Sequence, residues 1–135
     1  MAIRHVQQSD WDMPAGHVER CGPACVAMIA GVSEARAIQA AGKTRTDDDI
    51  LWWPDVKRAL DVLGVSHDDQ ARRITNVRNI RQLAIIECQP SDHYVVYDPS
   101  TGLVHDPLKE HPQTVSSFRL KPKSYLAVGF SSSDA

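Results

Sequence analysis

Cysteine is scarce in this sequence, with only three residues in 135. Cys21, Cys25 and Cys88 are odd in number and unevenly spaced, which excludes a disulfide framework and the paired spacing of a structural zinc site. No apolar run approaches the ~20 residues needed to cross a bilayer, and the first ten residues lack the apolar core of a secretory signal. We therefore expect a cytoplasmic protein with no membrane span.

A surplus of charge of either sign is also lacking, because 15 lysines and arginines face 17 aspartates and glutamates. This balance excludes a generally basic nucleic-acid-binding protein and an acidic solvating tail. The 42% hydrophobic residues that are present are typical of an ordinary globular protein. The length predicts a single domain over residues 1–135, with an N-terminal arm at 1–14 and a disordered tail at 131–135. The oligomeric state stays open.

The residue pattern changes period halfway along the chain. The first half predicts three helices: a buried one over 21–31, a second that Ser33 caps and Gly42 ends, and a third that ends at Gly64. The second half has apolar and β-branched runs that predict strands over 83–88, 93–97, 103–106 and 125–130. Lys121-Pro122-Lys123 is predicted to be a loop. Helices followed by an antiparallel sheet make an α+β fold.

Cys21 is the candidate nucleophile, because it stands where Pro23 begins a helix. A cysteine attacks as its thiolate, and the N–H groups and dipole of a helix N-terminus favour negative charge. The same N–H groups can hold the oxyanion formed when a carbonyl is attacked, and Gly22 leaves space for a substrate backbone. The alternative is that Cys21 is a small buried residue. Cys25 and Cys88 are predicted to be structural.

His93 is the candidate base, because it opens a strand after a polar turn. If residues 99–102 form a four-residue loop, Asp98 faces Leu103, and His93 and Asp106 become diagonal neighbours on one face of the hairpin. His105 then points to the other face. A loop one residue longer or shorter would exchange His105 and Asp106. Taken singly, His93 also fits a surface or capping role, and Asp106 fits a strand end.

The segments that carry these residues resemble one known family. They are Cys21-Gly22-Pro23-Ala24-Cys25-Val26-Ala27-Met28-Ile29, His93-Tyr94-Val95-Val96 and Asp106-Pro107. Across residues 15 to 107 the chain is similar to the bacteriocin-processing peptidases of the papain-like superfamily, which in transporters cleave leader peptides after a double glycine. The resemblance implies a papain-like fold and a peptide or protein substrate. It also implies that Cys21 is the nucleophile, His93 the general base and acid, and Asp106 the residue that orients His93.

One position departs from that family. Its members have a glutamine six residues before the nucleophile, where the side-chain amide helps to hold the oxyanion, and this chain has Ala15 there. Gln7 and Gln8 lie too far upstream to match, so the nearest polar residue, His17, is the candidate oxyanion-hole residue. The sequence therefore predicts a cysteine peptidase. It leaves open a catalytically impaired papain-like peptide-binding module and a papain-like amidase or deamidase of toxin type.

Two charged clusters lie outside this pattern. Asp47-Asp48-Asp49 is interpreted as a solvated helix start, because three adjacent carboxylates cannot all converge on one metal ion. The arginines at 72, 73, 78 and 81 form a basic cluster, which is either a solvated face or a site for an acidic peptide or phosphate. We expect no metal, no cofactor and no bound nucleic acid.

Overall fold

Three helices and an antiparallel sheet form the fold in a computed structural model, which describes residues 3–8, 21–42, 51–89 and 93–129. The helices come first: α1 Cys21–Ala30, α2 Glu34–Ala40 and α3 Trp53–Val62. The strands follow: β1 Arg72–Arg73, β2 Ala84–Gln89, β3 His93–Asp98, β4 Leu103–His105, β5 Gln113–Thr114 and β6 Lys121–Ala127. The predicted α+β class is confirmed. The predicted tail at 131–135 lies outside the described residues.

Local signals set the ends of the three helices. The side chain of Ser33 accepts a hydrogen bond from the backbone N–H of Arg36 at 3.1 Å, which caps α2 as predicted. Gly31 and Gly64, which follow α1 and α3, have φ angles of 70° and 75° that other residues rarely adopt. Helix α1 is apolar on almost all sides and is largely buried for that reason.

The hairpin of β3 and β4 has the predicted register. Asp98 pairs with Leu103, and Val96 pairs with His105, so residues 99–102 form the four-residue loop. The sheet order is β1-β6-β2-β3-β4-β5, which puts β2 and β3 at its centre. Because β2 and β3 are antiparallel, Cys88 at the end of one strand lies opposite His93 at the start of the other.

Two sequence predictions about the strands are wrong. Lys121-Pro122-Lys123 is not a loop but the start of β6, which then ends at Ala127 rather than at residue 130. Proline cannot donate to a strand ladder, and the chain accommodates Pro122 at an irregularity in the pairing, where it lies opposite Cys88. The two-residue strands β1 and β5 were not predicted, because runs this short have no period to detect.

The two faces of the sheet are covered differently. Helices pack on one face, where the core includes Leu60, Ile85 and Val96. Loops and two short 3₁₀ turns, Val77–Asn79 and Val115–Ser117, cover the other face. Among the described residues no single helix is long and apolar enough to cross a membrane, whereas α1 and α2 pass that test only together and are bent by 99°.

Candidate functional site

Cys21, His93 and Asp106 meet at one end of the sheet. Nε2 of His93 donates a hydrogen bond to Oδ1 of Asp106 at 2.5 Å, and the His93 ring is also hydrogen-bonded to Cys21. Since Nε2 is directed at the carboxylate, Nδ1 is the nitrogen that remains for the sulfur. All three residues are buried, with exposed fractions of 5% for Cys21, 3% for His93 and 4% for Asp106. The structure thus brings together the three residues that the sequence pattern singled out.

Each member of this cluster is held by a different element. Cys21 is the first residue of α1, His93 is the first residue of β3, and Asp106 follows directly on β4. Asp106 is fixed further by the backbone N–H of Leu108, which donates to its Oδ1 at 2.9 Å. The carboxylate therefore accepts hydrogen bonds from a ring and from the backbone, which holds it in one orientation.

The electrostatics of the cluster favour a charged ring. Burial lowers the pKa of His93, but hydrogen bonds to Asp106 and Cys21 outweigh it and raise the pKa to about 10. Burial raises the pKa of Asp106, yet the hydrogen bond and charge of His93 bring it below its ordinary value. At neutral pH the site accordingly holds an imidazolium ion between the carboxylate of Asp106 and the sulfur of Cys21.

The other two cysteines are buried close by but stay protonated. Burial raises the pKa of Cys25 well above its ordinary value, and the negative charges of Cys21 and Asp106 add to the effect. Burial also raises the pKa of Cys88 to about 12, with a further contribution from Asp106. Both side chains are fully buried, as expected of structural residues. Of the three thiols, only Cys21 combines a helix start with a hydrogen bond to His93.

Gly22 has a different role from the predicted one. A Cβ atom at Gly22 would lie 2.9 Å from Cβ of Leu51, which is closer than real Cβ contacts come. Gly22 was predicted to leave space for a substrate backbone. The side chain of Leu51 occupies that space instead. Glycine is needed here because the chain leading into α3 packs directly on the residue after Cys21.

A polar network that the sequence did not reveal supports the start of β3. Nε1 of Trp53 donates to Oγ of Ser124 at 3.3 Å, and that hydroxyl donates to Oε1 of the buried Glu87 at 3.1 Å. The Trp53 ring also meets Tyr94 edge-on, with ring centroids 5.0 Å apart. Tyr94 is the neighbour of His93, so this contact fixes the strand from which the imidazole projects. Glu87 and Ser124 are far apart in sequence, and the register of β2 and β6 brings them together.

The oxyanion-hole prediction lies outside the structure, because His17 and Ala15 are not among the described residues. Gln8 lies too far upstream in the sequence to match the family glutamine. It is buried in the structure, with 2% of its surface exposed. Its backbone N–H donates to the carbonyl oxygen of Pro107 at 2.8 Å, next to Asp106. Gln8 therefore contacts the residue that directly follows Asp106. A signal was present in Ile3 and Val6, whose apolar side chains pack against the core and hold this segment in place.

His105 points away from the cluster, as the register predicted. Its Nδ1 lies 3.2 Å from Nδ1 of His5, and Nε2 of His5 donates to the carbonyl oxygen of Lys109 at 2.7 Å. Burial lowers the pKa of His105, and a positive charge on His5 lowers it further, against the opposing effect of Asp98. This histidine pair ties the N-terminal segment to the end of β4.

No three histidine, cysteine or carboxylate side chains form a metal site within the described part of the chain. Asp47-Asp48-Asp49 lies outside those residues. No protein-family model matches the chain, and no curated protein matches it either.

Proposed function

We propose that this chain is a cysteine peptidase with a papain-like fold, in which Cys21, His93 and Asp106 hydrolyse a peptide amide bond. The observation that carries the proposal is the His93 ring, which is hydrogen-bonded to Asp106 through one nitrogen and to Cys21 on its other side. A nucleophile, a base and a group that orients the base are the parts that covalent amide hydrolysis requires. The cysteine-bearing helix packed against a sheet that carries the histidine supports the papain-like assignment.

The reaction uses the positive charge that His93 carries at neutral pH. The Cys21 thiolate attacks the carbonyl carbon, and a sulfur–carbon bond forms as the carbonyl oxygen becomes an oxyanion. His93 gives its Nδ1 proton to the leaving amine as the carbon–nitrogen bond breaks. A water molecule then attacks the acyl group, passes a proton to His93 and releases the thiolate. Asp106 keeps the ring aligned through both steps.

Alkylation with iodoacetamide at pH 7 tests the triad without a known substrate, with the modified cysteines identified by mass spectrometry. We expect Cys21 to react at least ~10-fold faster than Cys25 or Cys88, since the thiolate is the reacting species. The preference should disappear in His93→Gln and remain in His67→Gln, which changes a histidine outside the site. Equal and slow labelling of all three thiols would overturn the proposal.

We propose Gln8 as the residue to test for an oxyanion-donor role, because its side chain is buried and its backbone is tied to the residue after Asp106. Loss of one such donor costs on the order of 10²–10³ in turnover. Gln8→Ala should therefore lower peptide hydrolysis by that factor while the alkylation rate of Cys21 stays unchanged, because alkylation forms no oxyanion. Gln7→Ala is the matched control. An equal fall in both rates would instead indicate a structural role for Gln8.

A non-catalytic peptide-binding module is the second candidate, and the near-complete burial of Cys21 is the observation that favours it. If the chain is such a module, Cys21→Ser should leave both partner binding and the biological effect intact. Mass spectrometry of peptides incubated with the protein separates the remaining outcomes. Chain cleavage supports the peptidase, a gain of about 1 Da at glutamine supports a deamidase, and no change with retained binding supports the module.

A further inference from the structure

Positive charge is concentrated in residues 71–89 and 109–129, the stretches of the chain that include β1, β6 and the 3₁₀ turns. Within residues 71–89 and 109–129 every lysine and arginine is exposed: Arg72, Arg73, Arg78, Arg81, Lys109, Arg119, Lys121 and Lys123. The carboxylates in the same stretches are Glu87, which is buried, and Glu110. In the described residues from 51 to 69 the balance is reversed, since two cations face four aspartates. The small net charge of the chain therefore hides an uneven distribution of charge along the sequence.

Part of this surface is concave. A cavity of about 580 Å³ is lined by Arg73, Asn79, Gln89, Lys123 and Tyr125, together with Ile74 and Thr75. A second cavity of about 270 Å³ shares Thr75 with the first, and Arg78 and Arg119 are among its lining residues. We call these two cavities the basic groove. Arg119 is held in place there, because its guanidinium group donates to the carbonyl oxygen of Ser116 at 2.8 Å.

The basic groove reaches the end of the sheet at which the candidate site lies. Gln89 lines the groove and directly follows Cys88, which pairs with His93. Adjacent strands lie roughly 5 Å apart, so a chain that leaves the groove at Gln89 is one strand away from the imidazole. The larger cavity is also in the size range of sites that hold ligands, roughly 300–1,000 Å³.

The geometry points to the basic groove as a binding site for an acidic segment of the peptide substrate. This inference rests on the proposed function, which supplies the reason for a peptide rather than another polyanion. Guanidinium groups bind carboxylates in pairs of parallel hydrogen bonds, and the amides of Asn79 and Gln89 add neutral donors. Side-chain carboxylates on the substrate would thus dock in the groove while the backbone beyond them reaches Cys21.

The test uses the full chain with Cys21→Ala, so that binding is measured without turnover. Fluorescence anisotropy compares a labelled peptide rich in glutamate, the same peptide with glutamine at those positions, and a single-stranded oligodeoxynucleotide of equal charge. We expect the acidic peptide to bind at least ~10-fold more tightly than the other two, and its affinity to fall with added salt. Tighter binding of the oligonucleotide, or equal binding of the two peptides, would overturn the inference.

Charge-neutralising variants locate the binding surface. Arg73 and Arg119 line separate cavities of the groove. Arg73→Gln and Arg119→Gln should each weaken binding of the acidic peptide by about 5- to 10-fold. Arg36→Gln removes an exposed arginine of α2 and should leave the affinity unchanged. All three should unfold at the same urea concentration as the parent, since these side chains are exposed. Equal affinities in Arg73→Gln, Arg119→Gln and the parent would refute the groove as the site.

The outcome is separable from that of the proposed function. Alkylation of Cys21 in the unaltered chain reports on the triad alone, whereas anisotropy with Cys21→Ala reports on the groove alone. Selective alkylation of Cys21 without binding of the acidic peptide would refute only the inference about the basic groove. Binding of the acidic peptide without selective alkylation would refute only the proposal that the chain is a peptidase.

Discussion

Two histidine–carboxylate pairs in this molecule have nearly the same geometry and different surroundings. Nε2 of His93 lies 2.5 Å from Asp106, and Nε2 of His67 lies 2.7 Å from Asp61. The side chain of Asp106 is 5% exposed, whereas that of Asp61 is 69% exposed. The second ring nitrogen of His67 donates to the carbonyl oxygen of Asp68, while that of His93 is left to the thiol of Cys21. A short distance between ring and carboxylate is therefore common to both pairs, and burial and the third group distinguish them.

Removal of each carboxylate should produce the largest difference between the pairs. Asp106→Ala leaves a buried charged imidazole without its partner, and we expect the free energy of unfolding to fall by about 3–5 kcal/mol. Asp61→Ala breaks a pair that water already screens, and the loss should stay below about 1 kcal/mol. Urea denaturation followed by circular dichroism measures both values. Losses of the same size would mean that burial does not distinguish the pairs.

Alkaline pH should separate the pairs next. Because the pKa of His93 is raised to about 10 in the folded protein, its proton stabilises the fold fully below pH 6.5 and is lost as the pH rises toward 10. In a Cys21→Ser background, where no sulfur at the site can titrate and Asp106 still holds the His93 proton, the free energy of unfolding should fall between pH 6.5 and 8.5 by up to about 1 kcal/mol per pH unit. The buried thiols of Cys25 and Cys88, whose pKa values are raised, add to this fall only above about pH 8.5, where unfolded thiols ionise.

Urea titrations at pH 6.5, 7.5 and 8.5 check this dependence. The slope should vanish in His93→Gln and persist in His67→Gln. A slope that survives the loss of His93 would show that another group carries the proton.

A smaller effect is expected on the acid side, from the pair formed by His5 and His105. Burial, followed by the charge of His5, lowers the pKa of His105, so protonation below about pH 6.5 favours the unfolded chain. The loss due to this pair between pH 7 and 5.5, measured as the difference between the parent and His105→Gln, should stay below about 1 kcal/mol, because the pair is partly open to solvent. The pair's contribution to the pH dependence of the free energy of unfolding between pH 7 and 5.5 should disappear in His105→Gln and remain in His111→Gln. If the pH dependence over this interval is the same in His105→Gln as in the parent, the histidine pair does not contribute to it.

The sequence alone predicted the parts of the fold that depend on local chemistry. Ser33 and the glycines that follow the helices gave correct helix ends, and the four-residue loop gave the register that puts His93 and Asp106 on one face. Packing between distant segments could not be predicted. Nothing local to Gly22 indicates Leu51, and nothing local to Gln8 indicates Pro107. The start of β6 was missed because Pro122 is tolerated only at an irregularity that its partner strand defines.

The contact between Gly22 and Leu51 has a mechanical consequence for Cys21, the candidate nucleophile. Because Cβ of Leu51 packs directly against Gly22, the backbone next to Cys21 cannot move towards Leu51. A movement of the chain at the entrance of α3 would therefore press on the residue next to Cys21. Leu51, whose side chain takes part in no chemistry, is thus placed to affect the position of the sulfur through packing alone.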